Sequence, residues 1–122
     1  MASGEAEYLV VRAPDGGPIA KGGIDYRAHP GAGTLWQLAT RKELQGLGLG
    51  TRLIGVAEDR IRRRGVRRAT IGVEDDNPRA AALYRRLGYW PSGREHDSWE
   101  DEDEHGIVHL HETELTLLET PL

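Results

Sequence analysis

The sequence predicts an α/β protein. Its sheet is expected to be mixed, of the α+β kind, and to be flanked by helices. Two features support this prediction. Near the start, two strand patterns joined by a Pro/Gly-rich turn indicate an antiparallel hairpin. Between residues 35 and 73, a strand, a helix and a second strand follow one another, a unit whose strands are expected to be parallel. A sheet that holds both kinds of pairing is mixed.

The N-terminal hairpin comes first along the chain. Tyr8–Arg12 is predicted as a short strand, Pro14–Pro18 as a turn and Ile19–Arg27 as the returning strand. The adjacent residues Gly22 and Gly23 inside the returning strand suggest a β-bulge.

The strand–helix–strand unit follows a loop at residues 29–33. Leu35–Thr40 is short and apolar on both faces, which is typical of a strand inside a sheet. From Thr51 apolar residues recur at helical spacing, and Gly65 suits the C-terminal cap of this helix. That apolar stripe comprises Leu53, Ile54, Ala57 and Ile61. The next strand alternates apolar with other residues, at Ala69, Ile71 and Val73.

A second helix is predicted from Asn77-Pro78, because Asn accepts free amides and Pro fits the first helical position. Gly88 ends it. Two extended segments and an acidic loop between them complete the chain: Tyr89–Trp99, Glu100–Glu104 and Ile107–Leu118.

The composition bounds the class of protein. With 122 residues, 38% of them hydrophobic, residues 1–122 are expected to form a single domain. Cysteine is absent, which excludes thiol nucleophiles and disulfides and favours a cytoplasmic location. No apolar run approaches the about 20 residues of a membrane helix, and residues 1–7 lack a signal peptide's apolar core. The formal charge of -4 argues against broad nucleic-acid binding.

A glycine-rich loop, Gln45-Gly46-Leu47-Gly48-Leu49-Gly50-Thr51, joins the buried strand to the first helix. Glycines let backbone amides turn inward, and a helix start adds free amides and a positive dipole end, so the loop suits a diphosphate. A plain structural turn explains the glycines about as well. A P-loop is excluded because no Gly-Lys-Ser/Thr follows, and the spacing departs from the dinucleotide-binding fingerprint.

Two motifs together resemble the GNAT superfamily of N-acetyltransferases. The first is Gln45, Gly48 and Gly50, which matches the family's Gln/Arg-x-x-Gly-x-Gly/Ala motif in full. The second signature follows one strand later: Asn77, Ala80, Leu83-Tyr84 and Leu87-Gly88-Tyr89. The resemblance implies a single acetyltransferase domain with the GNAT-like acyl-CoA N-acyltransferase fold, about six strands and two main helices. The strand and two helices that normally precede the first hairpin are missing.

The resemblance implies a set of cofactor contacts. Backbone amides would bind the pyrophosphate of acetyl-CoA, and those residues are Gln45, Gly46, Leu47, Gly48, Leu49, Gly50 and Thr51. Leu38 and Thr40 would pair with the pantetheine arm as an added strand does. Asn77 would also face the cofactor, and no metal is expected.

The family reaction is direct attack of an amine on the thioester in a ternary complex. Tyr84 matches the position of the family's general acid, although a ring that merely packs with a satisfied hydroxyl is the alternative. The general base is unassigned, because Gly72 stands where many relatives carry a glutamate. The carboxylates of residues 74–76 are expected to cap the next helix while water relays the proton.

Three clusters of polar residues can be interpreted without a functional role. The arginines of residues 60–68 are expected to be a solvated helix end, which leaves a nucleic-acid role disfavoured. His109 and His111 share a strand face without a third metal ligand. The acidic stretch Glu100–Glu104 either steers a cationic amine or is only a solvated tip.

The sequence therefore predicts an acetyl-CoA-dependent N-acetyltransferase acting on a primary amine of a small molecule or peptide. A non-catalytic acyl-CoA-binding sensor or partner module is the alternative, favoured by Gly72 and by the missing elements. The acceptor site would be either open to a large acceptor or completed in a homodimer. No membrane partner is expected.

Overall fold

The computed structural model describes residues 6–40 and 48–122. In these ranges lie six strands and two helices. The strands are β1 (Ala6–Arg12), β2 (Pro18–Asp25), β3 (Gly33–Thr40), β4 (Arg68–Glu74), β5 (Trp90–Glu102) and β6 (Val108–Pro121). The helices are α1 (Leu49–Arg63) and α2 (Pro78–Arg86). The strands form one sheet in the order β1-β2-β3-β4-β6-β5, which confirms the predicted fold class.

The sheet is mixed, as predicted. β1 pairs with β2, and β2 with β3, in antiparallel fashion. β3 and β4, which precede and follow α1 in the sequence, pair in parallel. The parallel pairing joins Gly33 to Ala69 and Leu35 to Ile71. Between these pairs the side-chain oxygens of Thr34 and Thr70 lie 2.7 Å apart, and this hydrogen bond satisfies the fully buried Thr70 hydroxyl.

The described residues form two compact units. The first contains the chain up to Ile71 together with Glu119–Leu122, and the second is Gly72–Leu118. In the first unit α1 packs on β1, β2 and β3 through the predicted apolar stripe, and all four of its residues are buried: Leu53, Ile54, Ala57 and Ile61. That residues 1–122 form a single domain stays a prediction.

The predicted β-bulge lies at the level of the paired glycines but on the neighbouring strand. Lys21 pairs with Ala39 and Gly23 with Trp36, so two steps along β2 oppose three along β3. The extra residue therefore belongs to β3, and the expectation that Gly22 and Gly23 form the bulge was wrong in that respect. The glycines have a packing role, because a Cβ on Gly23 would overlap the Trp36 indole.

Most strands differ from their predicted bounds by one to three residues, and two of these differences have a clear structural cause. β2 ends at Asp25 rather than Arg27, because the Asp25 carboxylate accepts a hydrogen bond from the Arg27 backbone N–H and turns the chain. The stretch Glu100–Glu104 is not a hairpin loop, because β5 continues to Glu102. The turn is made instead by residues 103–107.

Candidate functional site

The start of α1 has the conformation that the glycine-loop prediction requires. Gly48 is the N-cap residue, with φ 80 and ψ 8, a left-handed conformation that strongly favours glycine. The Arg52 N–H donates to the Gly48 carbonyl over 3.0 Å, which closes the first helical turn. Because Gly48 has no side chain to cap the helix, the amides of Leu49, Gly50 and Thr51 remain for another acceptor. This helix end suits an anion.

Part of the predicted loop falls outside the described residues. Gln45, Gly46 and Leu47 belong to that part, so the structure describes only the second half of the proposed phosphate site. Leu49, Gly50 and Thr51 form the first turn of α1, where no acidic residue is present. A diphosphate at this turn would meet no carboxylate from the helix itself.

The end of β3 has an uneven pairing pattern. β2 pairs with β3 as far as Thr40, opposite Ala20. Among the described residues, β4 pairs with β3 only from Gly33 to Leu35. The backbone of Leu38 therefore lies beyond the part of β3 that β4 covers. Leu38 and Thr40 are two residues apart, so their backbone groups point to the same side of the strand.

Asn77 begins α2, as predicted. Its side-chain oxygen accepts a hydrogen bond from the Ala80 N–H over 3.2 Å, and Pro78 occupies the first turn. The cap fixes the start of the helix that carries Tyr84. The NH₂ group of the Asn77 side chain takes no part in this hydrogen bond and keeps its capacity to donate.

Tyr84 lies in the last turns of α2 and is half-buried. Burial raises the pKa of its phenol above the ordinary value of 10.0. Its ring meets the ring of the fully buried Tyr89 edge to face, with centroids 6.5 Å apart. The Tyr89 N–H also donates to the Tyr84 carbonyl over 3.0 Å. The phenol therefore stays protonated at neutral pH, as a proton donor requires.

Of the carboxylates at residues 74–76, Asp75 does not act as expected. Asp75 forms a two-point ion pair with Arg94, at 3.1 and 2.6 Å, and this arginine lowers the pKa of the Asp75 carboxyl. Arg94 also donates to Thr116 over 3.1 Å. The cap of α2 comes from Asn77 instead, so the preference for capping by residues 74–76 was wrong for Asp75. Local sequence gives no signal for this pair, whose members lie 19 residues apart.

Gly72 leaves the middle of β4 without a side chain. A Cβ added there would meet Leu115 Cδ1 at 3.3 Å, and the residue itself is exposed. The strand position at which many relatives carry a glutamate therefore has limited room, which a shift of the flexible Leu115 side chain could extend.

The other predicted clusters are surface features. Arg60 pairs with Glu7 at 3.1 Å, and Arg64 lies over the Tyr26 ring, so part of the arginine cluster fastens α1 to the sheet. His109 and His111 are exposed. Within residues 6–40 and 48–122 no three His, Cys, Asp or Glu side chains are grouped to hold a metal ion. No helix in these ranges is long and apolar enough to cross a membrane.

Comparison with known proteins assigns the chain to a family. The profile described as "Acetyltransferase (GNAT) family" matches residues 2–89, a range that includes both sequence motifs. The chain belongs to the GNAT acetyltransferase family. Members of this family use acetyl-CoA, and the predicted resemblance is confirmed.

The curated relatives include mycothiol acetyltransferases. The protein of Geodermatophilus obscurus is 40% identical over 57 residues, 47% of this chain and 18% of that protein. The protein of Beutenbergia cavernae is 42% identical over 59 residues, 48% of this chain and 20% of that protein. The matched region is thus about a fifth of these relatives.

Solved structures share the fold over almost the whole chain. The IAA acetyltransferase from Bacillus cereus has a TM-score of 0.78 at 20% identity, covering 97% of this chain and 79% of that one. The ribosomal-protein-S18-alanine N-acetyltransferase from Escherichia coli has a TM-score of 0.74 at 20% identity, covering 97% and 70%. The PaiA N-acetyltransferase from Thermoplasma acidophilum, in complex with coenzyme A, has 0.71 at 14%, covering 97% and 62%. These identities support the GNAT fold alone.

Proposed function

We propose that this chain transfers the acetyl group of acetyl-CoA to a primary amine of a small molecule or peptide. The observation that carries the proposal is the left-handed Gly48 at the start of α1, which leaves helix amides uncapped within the family's own motif. The amine nitrogen attacks the thioester carbonyl directly in a ternary complex. A C–N bond forms, the C–S bond breaks, and CoA leaves as the thiol.

The cofactor contacts are divided between loop, helix and strand. The amides of Gly48, Leu49, Gly50 and Thr51, with those of Gln45 to Leu47, hold the pyrophosphate. The backbone of Leu38 and Thr40 pairs with the pantetheine amides, as an added strand would. In the part of the chain that the structure describes, β3 pairs with β4 only as far as Leu35, which supports this arrangement. Asn77 is proposed as a further cofactor contact, through the NH₂ group that the cap does not use.

Tyr84 protonates the leaving thiolate. A phenol with a raised pKa remains protonated when the amine is neutral, which the attack requires. The amine loses its proton through water, since Gly72 supplies no carboxylate and Asp75 is engaged by Arg94.

A non-catalytic role is the second candidate. Gly72 favours it, because a member that binds acyl-CoA without a base would act as a sensor or partner module. Such a protein would bind acetyl-CoA and leave the thioester intact with every amine.

Release of free CoA tests the proposal. The protein is incubated with acetyl-CoA and separate pools of amino acids, polyamines and peptides, and a thiol reagent measures CoA. The chain has no cysteine, so the protein gives no background signal. Amine-dependent CoA release supports acetyl transfer. Binding of acetyl-CoA without release in any pool would favour the non-catalytic role.

A further inference from the structure

The β5–β6 hairpin concentrates the negative charge of the chain. From Trp90 to Glu114 the sequence has nine acidic residues and one arginine, a formal charge of -8, whereas the whole chain carries -4. The remainder is therefore positive by 4. Almost all of β5 is exposed. A cationic partner would be drawn to this hairpin before any other part of the chain.

β5 also has an open hydrogen-bonding edge. It is the last strand of the sheet within the described residues, with β6 on its one paired side. The Asp103 N–H donates to the Ile107 carbonyl over 3.0 Å, which fixes which residues face β6. Along a strand, the N–H and C=O groups of successive residues point to opposite sides. Since those of Asp103 point to β6, the even-numbered residues of β5 direct their N–H and C=O groups away from β6. Ser98, at the middle of this edge, is one of them.

A half-exposed tryptophan stands on the same strand. The Trp99 side chain is 47% exposed, and its ring is stacked on His111 of β6, with centroids 5.4 Å apart and 16° between the planes. Its other face is directed away from β6. Asp97 and Asp101 lie two residues to either side and share its face of the strand. An aromatic face flanked by carboxylates suits a lysine or arginine side chain.

We propose that the free edge of β5 binds an extended cationic polypeptide as an added antiparallel or parallel strand. The partner's backbone pairs with the outward groups around Ser98, and one of its basic side chains lies over Trp99 between Asp97 and Asp101. This interaction is separate from acetyl transfer and needs no acetyl-CoA.

Charge complementarity selects this occupant over a second copy of the chain. Pairing β5 with β5 of another copy would bring two acidic strands together, and directly opposed like charges destabilise strand pairs. A strand with alternating lysines presents all of them on one face, where they meet the carboxylates of β5 that share that face. Charged residues on an edge strand disfavour self-pairing for the same reason.

The probe is the peptide acetyl-KVKVKVK-amide, titrated without acetyl-CoA into the full chain and followed by calorimetry and tryptophan fluorescence. We expect saturable binding that weakens as salt is raised and is absent for acetyl-EVEVEVE-amide. Ser98→Pro removes one outward N–H and leaves the β6 ladder intact, so it should weaken binding about tenfold. Ser98→Ala is the matched control and should bind like the wild type.

A second measurement guards against misfolding of the proline variant. Two peptides N-methylated at alternate residues are compared on the wild-type chain, and only the one whose free amides face β5 should bind. Equal binding of both peptides, equal binding of Ser98→Pro and Ser98→Ala, or no binding of the lysine peptide would overturn the proposal. So would a wild-type dimer in sedimentation that Ser98→Pro dissociates, since a second copy would then occupy the edge.

Discussion

The rings of Tyr84 and Tyr89 lie edge to face, with their centroids 6.5 Å apart. Tyr89 is fully buried and donates its backbone N–H to the Tyr84 carbonyl, so it supports both the ring and the helix end of Tyr84. Both tyrosines belong to the second family motif. The motif therefore specifies the proposed acid together with its packing partner.

Tyr84→Phe should lower turnover about 10²-fold, because removal of a general acid typically costs 10² to 10⁴ in rate. Acetyl-CoA affinity should change little, since the ring and its contact with Tyr89 remain. Steady-state kinetics with the best acceptor and calorimetric titration of acetyl-CoA measure the two quantities. Unchanged turnover would remove Tyr84 from the mechanism.

The pH profile of the wild type gives an independent reading of the same group. Burial raises the pKa of Tyr84 above 10.0, so the acid stays protonated to higher pH than a free tyrosine. The fall in kcat/KM at alkaline pH that is due to this group should therefore be centred above pH 10. A loss of kcat/KM centred well below pH 10 that Tyr84→Phe abolishes would contradict the raised pKa.

Gly48→Ala should reduce both stability and cofactor binding. Nothing lies within 4 Å of an added Cβ, so the cost is conformational, about 1–2 kcal/mol for a left-handed alanine. The proposed pyrophosphate amides shift with the strained cap. Gly55→Ala is the control, because Gly55 is inside α1 with open space around it and should gain about 0.5–1 kcal/mol. Urea unfolding and acetyl-CoA titration of both variants test this pair.

Asn77 variants separate capping from cofactor contact. Asn77→Ala should cost about 1 kcal/mol of stability, because the Ala80 N–H loses its acceptor. Asn77→Asp keeps the cap and removes the NH₂ donor, so it should keep stability yet weaken acetyl-CoA binding. Thermal unfolding and calorimetry measure both. An Asp variant that binds acetyl-CoA as the wild type does would confine Asn77 to the cap.

His96 should make the hairpin's stability depend on pH. Its ring lies 2.9 Å from Glu114 and 3.4 Å from Glu112, and the hydrogen bond to Glu114 raises the pKa of His96 above 6.5. A raised folded pKa means that the stabilisation is full below pH 6.5 and is lost as pH rises through the folded value. His96→Gln should thus lower the melting temperature more at pH 6 than at pH 8.5. An equal effect at both pH values would exclude the ion pair as its cause.

Local signals in the sequence predicted the helix ends well. Gly65 and Gly88 have positive φ at the ends of α1 and α2, and Asn77 caps α2, because each depends on the residue's own conformational preference. The parallel pairing of β3 and β4 followed from the order of strand, helix and strand.

The errors concern features that depend on distant partners or on turn chemistry. Charge density suggested a loop at residues 100–104, but the turn is set by the Asp103 carboxylate, which accepts from the His105 and Ile107 N–H groups, and by Gly106 with φ 77. The pairing of Asp75 with Arg94 is non-local, so no local pattern indicates it. The position of the bulge in β3 depends on how β2 and β3 are paired, so the sequence of either strand alone does not indicate it.

Mass spectrometry with deuterated acetyl-CoA tests acetyl transfer most directly. The wild type and Tyr84→Phe are each incubated with acetyl-d3-CoA and a mixed pool of amines, amino acids, polyamines and peptides. We expect deuterated N-acetyl products, equimolar with released CoA, from the wild type and about 10²-fold less from the variant. Saturable acetyl-CoA binding with no deuterated product from any amine would contradict it.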